Sequence, residues 1–102
     1  MRKVVVRYTT KPDQADRNQQ LVERVFEELA ATDPGGVRYA TFRLADGVTF
    51  VHIASLERDD GSNPLGETAA FKEFQRELPG RCAEPPAPQD ATVVGSYRFF
   101  AE

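Results

Sequence analysis

The dipeptide Asp46-Gly47 constrains the fold of this chain more than any other feature of the sequence. It separates two runs rich in β-branched and aromatic residues, at positions 37–45 and 48–57. Asp-Gly favours a type I′ turn because both of its residues tolerate positive φ. We therefore predict a β-hairpin with a two-residue loop.

The hairpin fixes which side chains lie opposite each other. A two-residue loop sets Ala45 against Val48, Arg43 against Phe50, Thr41 against His52 and Tyr39 against Ala54. Those residues and Leu56 share a face of mixed polarity. The opposite face is nearly all apolar, with Leu44 against Thr49, Phe42 against Val51 and Ala40 against Ile53. We expect the apolar face to pack under helices and the mixed face to be left uncovered.

Two helices and two further strands complete the pattern. Residues 4–10 and 91–100 are strand-like, whereas residues 13–32 and 64–78 repeat their apolar side chains at helical spacing. Residues 81–90 contain Pro85, Pro86 and Pro88, which predict an extended connection. The order is βαββαβ, and right-handed crossovers then place both helices on one side of a four-stranded antiparallel sheet. We predict one ferredoxin-like α+β domain over residues 1–102.

Composition excludes several classes of protein. The 102 residues carry a net charge of −3 without a cluster of basic residues, which argues against nucleic-acid binding. No apolar run is long enough for a signal peptide or a membrane span. The single cysteine, Cys82, forms no intramolecular disulfide and has no neighbouring His to activate it. We expect a cytoplasmic protein.

Four segments carry a resemblance to a known family: VVVRYTTKPDQADRNQQLVERVFEELA, TFVHIASLE, ETAAFKEFQREL and VVGSYRFF. They are similar to small actinobacterial proteins of the dimeric α+β-barrel superfamily, and within it to the antibiotic biosynthesis monooxygenase-like proteins. The resemblance implies a cofactor-free monooxygenase acting on a small aromatic or polyketide-like substrate. A haem-degrading role is disfavoured, because the chain has no Trp and its one His lies on a strand rather than a helix.

The uncovered sheet face predicts a partner. Tyr39, Phe50, His52 and Leu56 would form an apolar patch larger than a monomer usually exposes. The same face of a second chain would cover it, which gives a homodimer with Phe50 at the subunit contact.

His52 is the residue best suited to acid–base chemistry, since its ordinary pKa lies near neutrality. It is either a general base or a packed side chain that hydrogen-bonds a neighbour. Tyr39 and Tyr97 are the other catalytic candidates, whereas Tyr8 and Phe71 are candidates for binding an aromatic ligand between sheet and helices. The aromatic residues form either a pocket lining or a filled core.

Three arginines, Arg7, Arg43 and Arg98, are predicted to share one sheet face. They would either hold an anionic ligand, with Arg43 our candidate for binding substrate, or form salt bridges to Glu57 or Glu102 of a partner subunit. One His without nearby acidic or thiol ligands does not make a metal site, and the motifs for phosphate and dinucleotide binding are absent from the sequence. We expect neither a metal nor a cofactor. The alternative to an enzyme is a non-catalytic ligand-binding or interaction module of the same fold.

Overall fold

The fold is that of a computed structural model, which describes residues 2–99. In chain order, its elements are β1 (Arg2–Thr10), α1 (Ala15–Thr32), β2 (Val37–Arg43), β3 (Thr49–Leu56), α2 (Pro64–Glu67), α3 (Ala69–Arg76), α4 (Leu78–Arg81) and β4 (Cys82–Ala91). A single 3-10 turn, Pro12–Gln14, leads into α1. The strands form one antiparallel sheet in the order β2-β3-β1-β4. The predicted ferredoxin-like α+β arrangement, with the two main helices α1 and α3, is confirmed.

The predicted register of the hairpin is confirmed, although the type of turn is wrong. Thr41 lies opposite His52 and Arg43 opposite Phe50, as expected. The connection is a longer loop in which Gly47 N–H donates to the carbonyl of Leu44, and Gly47, not Asp46, has a positive φ of 78°. A type I′ turn needs positive φ at both central residues. The Asp46 carboxylate instead accepts hydrogen bonds from the backbone N–H groups of Val48 and Thr49, which holds the loop in this form.

The prediction of which hairpin face lies under the helices is wrong. Phe50 and His52 are buried, whereas Phe42 on the opposite face is 43% exposed. The cause lies in β1, where Tyr8 pairs with Phe50 and Val6 with His52, so the sheet face that contains Tyr8 is the one the helices cover. The mixed face can be buried because its polar groups hydrogen-bond one another. Phe50 is therefore a core residue and not the subunit contact that we predicted.

The prediction of the last strand at residues 91–100 is also wrong, since β4 comprises Cys82–Ala91. Prolines are tolerated in β4 because it is an edge strand, where every second backbone N–H points away from the sheet. Pro86 and Pro88 are two residues apart and so have the same orientation, while a register shift opposite Tyr8 lies next to Pro85. Residues 92–99 follow the strand as an irregular segment, and residue 100 lies outside the described residues.

The second helix is divided into three pieces rather than continuous over residues 64–78. Thr68 has an extended backbone between α2 and α3, and its hydroxyl accepts a hydrogen bond from Phe71 N–H as the N-cap of α3. The carboxylate of Glu28 in α1 accepts hydrogen bonds from the N–H groups of Ala69 and Ala70, at 3.1 and 2.9 Å. These bonds join α1 to the start of α3 and satisfy donors that the helix itself leaves unpaired.

The core lies between the covered sheet face and the helices. Its buried apolar residues are Tyr8, Ala15, Leu21, Val22, Val25, Phe50, Leu65, Phe74 and Leu78. The predicted common face for the three arginines is wrong, because Arg7 pairs with Val51 on the open face whereas Arg43 pairs with Phe50 on the covered one. Among residues 2–99, no helix has the length and apolar character that crossing a membrane requires.

Replacing the buried Phe50 tests the corrected face assignment. We expect Phe50→Ala to lower the free energy of unfolding by about 3–5 kcal/mol, since it leaves a cavity in the core. Phe42→Ala, the matched change on the open face, should cost less than about 1 kcal/mol. Urea unfolding of both variants at low protein concentration measures the two free energies. Equal decreases in the free energy of unfolding would contradict the face assignment.

Candidate functional site

A cleft of about 310 Å³ opens between the covered sheet face and the segment from α2 to α4. Most of its walls are apolar. Its lining comprises Arg2, Val4, Val6, Tyr8, Tyr39, His52, Ala54, Leu56, Asn63, Leu65, Phe71, Phe74, Gln75, Leu78, Pro86 and Pro88. Among these described lining residues, Arg2 is the charged one, and it pairs with Asp90 at 2.8 Å on the surface. The cleft has the size and polarity of a site for a small, largely apolar ligand.

His52 stands at the polar end of this cleft with both ring nitrogens in contact with hydroxyl groups. Nε2 is 2.8 Å from the Tyr8 hydroxyl, while Nδ1 contacts the Tyr39 hydroxyl and is 3.1 Å from that of Thr41. Three adjacent strands position this group, because Tyr8, Thr41 and His52 lie on the same face of β1, β2 and β3. Three strands thus hold one imidazole between hydroxyl groups.

Aromatic rings surround the imidazole on several sides. The ring centroids of Tyr8, Tyr39 and Phe74 lie 5.3, 5.7 and 5.5 Å from that of His52. Phe26 of α1 stacks on Tyr39 at 4.9 Å, which holds the phenol ring against the sheet. The packing fixes the orientation of each hydroxyl at the cleft wall.

Burial keeps these groups uncharged at neutral pH. Loss of water contact lowers the pKa of His52 to about 4 and raises the pKa of Tyr39 to about 12. A hydrogen bond from Thr41 opposes part of the shift at Tyr39. Burial likewise raises the pKa of Tyr8, against a smaller opposing effect of the hydrogen bond from Asn18. A neutral imidazole between two protonated phenols can pass protons along its hydrogen bonds, and the Tyr39 hydroxyl at the cleft wall can bind a ligand oxygen.

A second polar group extends the cluster beneath the cleft. The amide nitrogen of Asn18 donates to the Tyr8 hydroxyl at 2.8 Å, and the guanidinium Nε of Arg81 donates to the Asn18 oxygen at 3.0 Å. Asn18 is fully buried and Arg81 is 4% exposed. The structure therefore contains a continuous chain of hydrogen-bonded side chains from Arg81 to His52.

The structure brings together four of the six predicted site residues. Tyr8, Tyr39, His52 and Phe71 all line the cleft. Their catalytic and binding roles stay predictions.

The other two predicted site residues lie elsewhere. Arg43 donates to Asp16 and Gln19 near the start of α1, at 3.1 and 2.7 Å, and so is held outside the cleft. Tyr97 is 84% exposed, because residues 92–99 do not form the strand that would have carried it under the helices.

Sequence reasoning missed Asn18 and Arg81. A signal for Asn18 existed, since it lies three residues after Ala15 and three before Leu21, on the apolar face of α1. Arg81 follows Pro79-Gly80, which we expected to end the helical region, yet residues 78–81 form one more turn that directs Arg81 inward. Nothing in the local sequence indicates that orientation.

Comparisons with known proteins place the fold among solved structures. No protein-family model matches the sequence, and a search of curated proteins found no relative. A candidate antibiotic biosynthesis monooxygenase from Nitrosomonas europaea superposes with a TM-score of 0.75 at 19% identity, over 93% of this chain and 100% of the other. The Rv0793 protein of Mycobacterium tuberculosis gives 0.73 at 17% identity, over 93% and 96%.

A third solved structure has no assigned role. It is a protein of unknown function from Nitrosomonas europaea, with a TM-score of 0.72 at 13% identity, over 98% of this chain and 95% of the other. At sequence identities this low, the likeness establishes a shared fold and does not establish a shared activity. The resemblance to antibiotic biosynthesis monooxygenase proteins is thus confirmed for the architecture of the chain.

The lowered pKa of His52 makes the stability of the fold depend on pH. The unfolded chain binds a proton at His52 near pH 6.5, whereas the folded chain binds it only near pH 4, so the contribution of His52 is complete above pH 6.5 and is lost as the pH falls toward 4. Between pH 7 and pH 5 this loss amounts to about 2 kcal/mol. We expect urea unfolding to show this decrease in the free energy of unfolding for the natural chain. The decrease between the same two pH values should be smaller for His52→Gln. An equal decrease in both proteins would show that His52 titrates normally.

Proposed function

We propose that this protein is a cofactor-free, monooxygenase-like enzyme that oxidises a small aromatic or polyketide-like substrate. The observation that carries the proposal is the hydroxyl–imidazole–hydroxyl group of Tyr8, His52 and Tyr39 at the polar end of an otherwise apolar cleft. The fold shared with proteins named as antibiotic biosynthesis monooxygenases supports the same class of reaction.

The proposed reaction needs a substrate that forms its own stabilised carbanion. A ring CH₂ beside an aromatic system loses one proton to water, and the electron pair spreads onto a ring oxygen. The carbanion reduces O₂ and forms a carbon–oxygen bond, and the hydroperoxide that results from protonation loses water to leave a carbonyl. One O₂ is consumed and one water is released for each substrate molecule.

The protein's contribution is to bind the substrate and to stabilise charge on its oxygen. Phe71 and Phe74 offer flat apolar contacts for the rings, and the Tyr39 hydroxyl, which contacts His52 Nδ1, would face the oxygen on which charge develops. A hydrogen bond aimed at developing charge in a site of low polarity accelerates such a step by about 100- to 1000-fold.

Oxygen uptake with anthrone as probe substrate tests this function. Purified protein treated with a chelator should consume O₂ faster than the protein-free blank, and Tyr39→Phe should lower kcat by about 100-fold because it removes the hydroxyl alone. Tyr97→Phe is the matched control, since Tyr97 lies outside the cleft and its loss should leave kcat unchanged. Equal effects of the two changes would contradict the role of Tyr39.

A second candidate function is binding without turnover, as a small-ligand carrier or sensor. The observation that favours it is that both ring nitrogens of His52 already have partners and that its pKa lies far below neutrality, which makes it a weak base. Anthrone bound in the cleft without O₂ uptake above the blank would support this function and exclude the first.

We also propose that a second copy of the chain covers the open sheet face. Phe42 and Leu44, 43% and 36% exposed, lie at one end of this face, and Val51 and Ile53 continue it. The face also carries Phe99 from the irregular C-terminal segment. Packing two such faces would bury apolar surface that one subunit leaves in water.

The size of the particle in solution tests the assembly. The natural chain should elute with twice the subunit mass, and Phe42→Asp should elute as a single subunit, because an unpaired carboxylate is costly to bury. Arg24→Asp, on an exposed position of α1, is the charge control and should keep the assembly intact. A single-subunit mass for the natural chain at micromolar concentration would contradict the proposal.

A further inference from the structure

Arg81 determines which group donates and which accepts in each hydrogen bond of this side-chain network. Its guanidinium donates to the Asn18 oxygen at 3.0 Å and to the carbonyl of Phe74 at 2.6 Å, and it stacks over the Phe74 ring at 5.3 Å. A guanidinium carries donors alone. The Asn18 side chain must therefore turn its oxygen to Arg81 and its amide nitrogen to Tyr8.

The direction of the Asn18 hydrogen bond also fixes the direction of the bond between Tyr8 and His52. Because this oxygen accepts a hydrogen bond from Asn18, its single hydrogen is available for its other partner, His52 Nε2, at 2.8 Å. If Nε2 carried a hydrogen instead, the Tyr8 hydrogen would have no acceptor among the contacts of Tyr8 within residues 2–99, and an unpaired buried donor is costly. Nε2 is therefore the acceptor.

A neutral imidazole has one N–H, so the hydrogen of His52 lies on Nδ1. Nδ1–H faces the hydroxyl oxygens of Tyr39 and Thr41. When the Tyr39 oxygen accepts this bond together with the hydrogen bond from Thr41, the hydrogen of the Tyr39 hydroxyl is left to point into the cleft. In every hydrogen bond between Arg81 and Tyr39, the donor is then the group nearer to Arg81.

We propose that Arg81 and Asn18 are positioning residues that orient this chain so that Tyr39 presents a hydrogen-bond donor to the ligand. The cleft then selects a flat aromatic molecule with an acceptor oxygen, a ring carbonyl or its enolate, over one that offers an O–H or N–H. The ligand class rests on the proposed function of the cleft, whereas the direction of the chain does not.

The tautomer of His52 tests the direction without any ligand. His52 is the only histidine of the chain, so the ¹⁵N NMR signals of a histidine-labelled sample report on it alone. We expect a protonated Nδ1 and an unprotonated Nε2 at neutral pH. A protonated Nε2 in the natural protein would overturn the proposal.

Asn18→Asp should reverse the hydrogen bond between Tyr8 and His52, and the new side chain has almost the same shape as the old one. A carboxylate accepts from both Arg81 and Tyr8, so the Tyr8 hydrogen turns away from His52, and Nε2 must then carry the hydrogen of the ring. Asn63→Asp is the matched control, since Asn63 also lines the cleft but caps α2 through its oxygen, which Asp retains. We expect a protonated Nε2 in Asn18→Asp and a protonated Nδ1 in Asn63→Asp, whereas an unchanged tautomer in Asn18→Asp would refute the role of Asn18.

Three tricyclic probes of nearly equal size test the ligand class: fluorenone accepts hydrogen bonds, carbazole donates one and fluorene does neither. The natural protein should bind fluorenone about three- to tenfold more tightly than fluorene, as one added hydrogen bond implies. Tyr39→Phe should abolish that advantage yet keep the tautomer, because Nδ1–H can still donate to Thr41. This variant also serves if Asn18→Asp does not fold.

The outcomes separate the inference from the function it builds on. Tighter binding of carbazole than of fluorenone would overturn the ligand class, as would failure of all three probes to bind, which would also remove the proposed function of the cleft. A protonated Nδ1 in the natural protein that moves to Nε2 in Asn18→Asp, together with absent O₂ uptake, would uphold the positioning role while contradicting the oxygenase function.

Discussion

The rest of the structure depends on the hydrogen bonds that the buried hydroxyl group of Tyr8 makes. It lies on the central strand β1, is almost completely buried, and bonds to His52 on β3 and to Asn18 on α1. Through Asn18 it also reaches Arg81 at the end of α4. Burying such a group without partners costs about 1–3 kcal/mol, so sheet and helices can come together only in an arrangement that supplies them.

This requirement explains how a polar sheet face becomes the inner one. Within residues 2–99 no buried side-chain nitrogen or oxygen lacks a hydrogen-bond partner. The polar atoms beneath the helices are therefore compatible with burial, and the same bonds fix the positions of the groups at the cleft wall. Stability and the chemistry of the site have a common origin in one network.

Sequence patterns predicted the order of elements, the hairpin register and the long helix α1, because each of these depends on residues close together in the chain. Four of the six proposed site residues lie in one cleft, although the sequence placed Tyr39 and His52 on the uncovered face. The pairing of β1 with β3, which the sequence did not predict, brings them beside Tyr8. The choice of covered face depended on β1 as well as the hairpin, and hydropathy of the hairpin alone led to the wrong side. Arg81 was unpredictable because its direction depends on a helical turn through Pro79-Gly80.

The three prolines of β4 have a consequence for how this sheet meets other chains. A backbone without an N–H cannot donate to an added strand, so Pro85, Pro86 and Pro88 make this margin a poor template for further pairing. The opposite margin, formed by β2, carries no proline. A continuous sheet between molecules must therefore form through β2, and because each molecule offers that one edge, such pairing joins two molecules and does not extend into a filament.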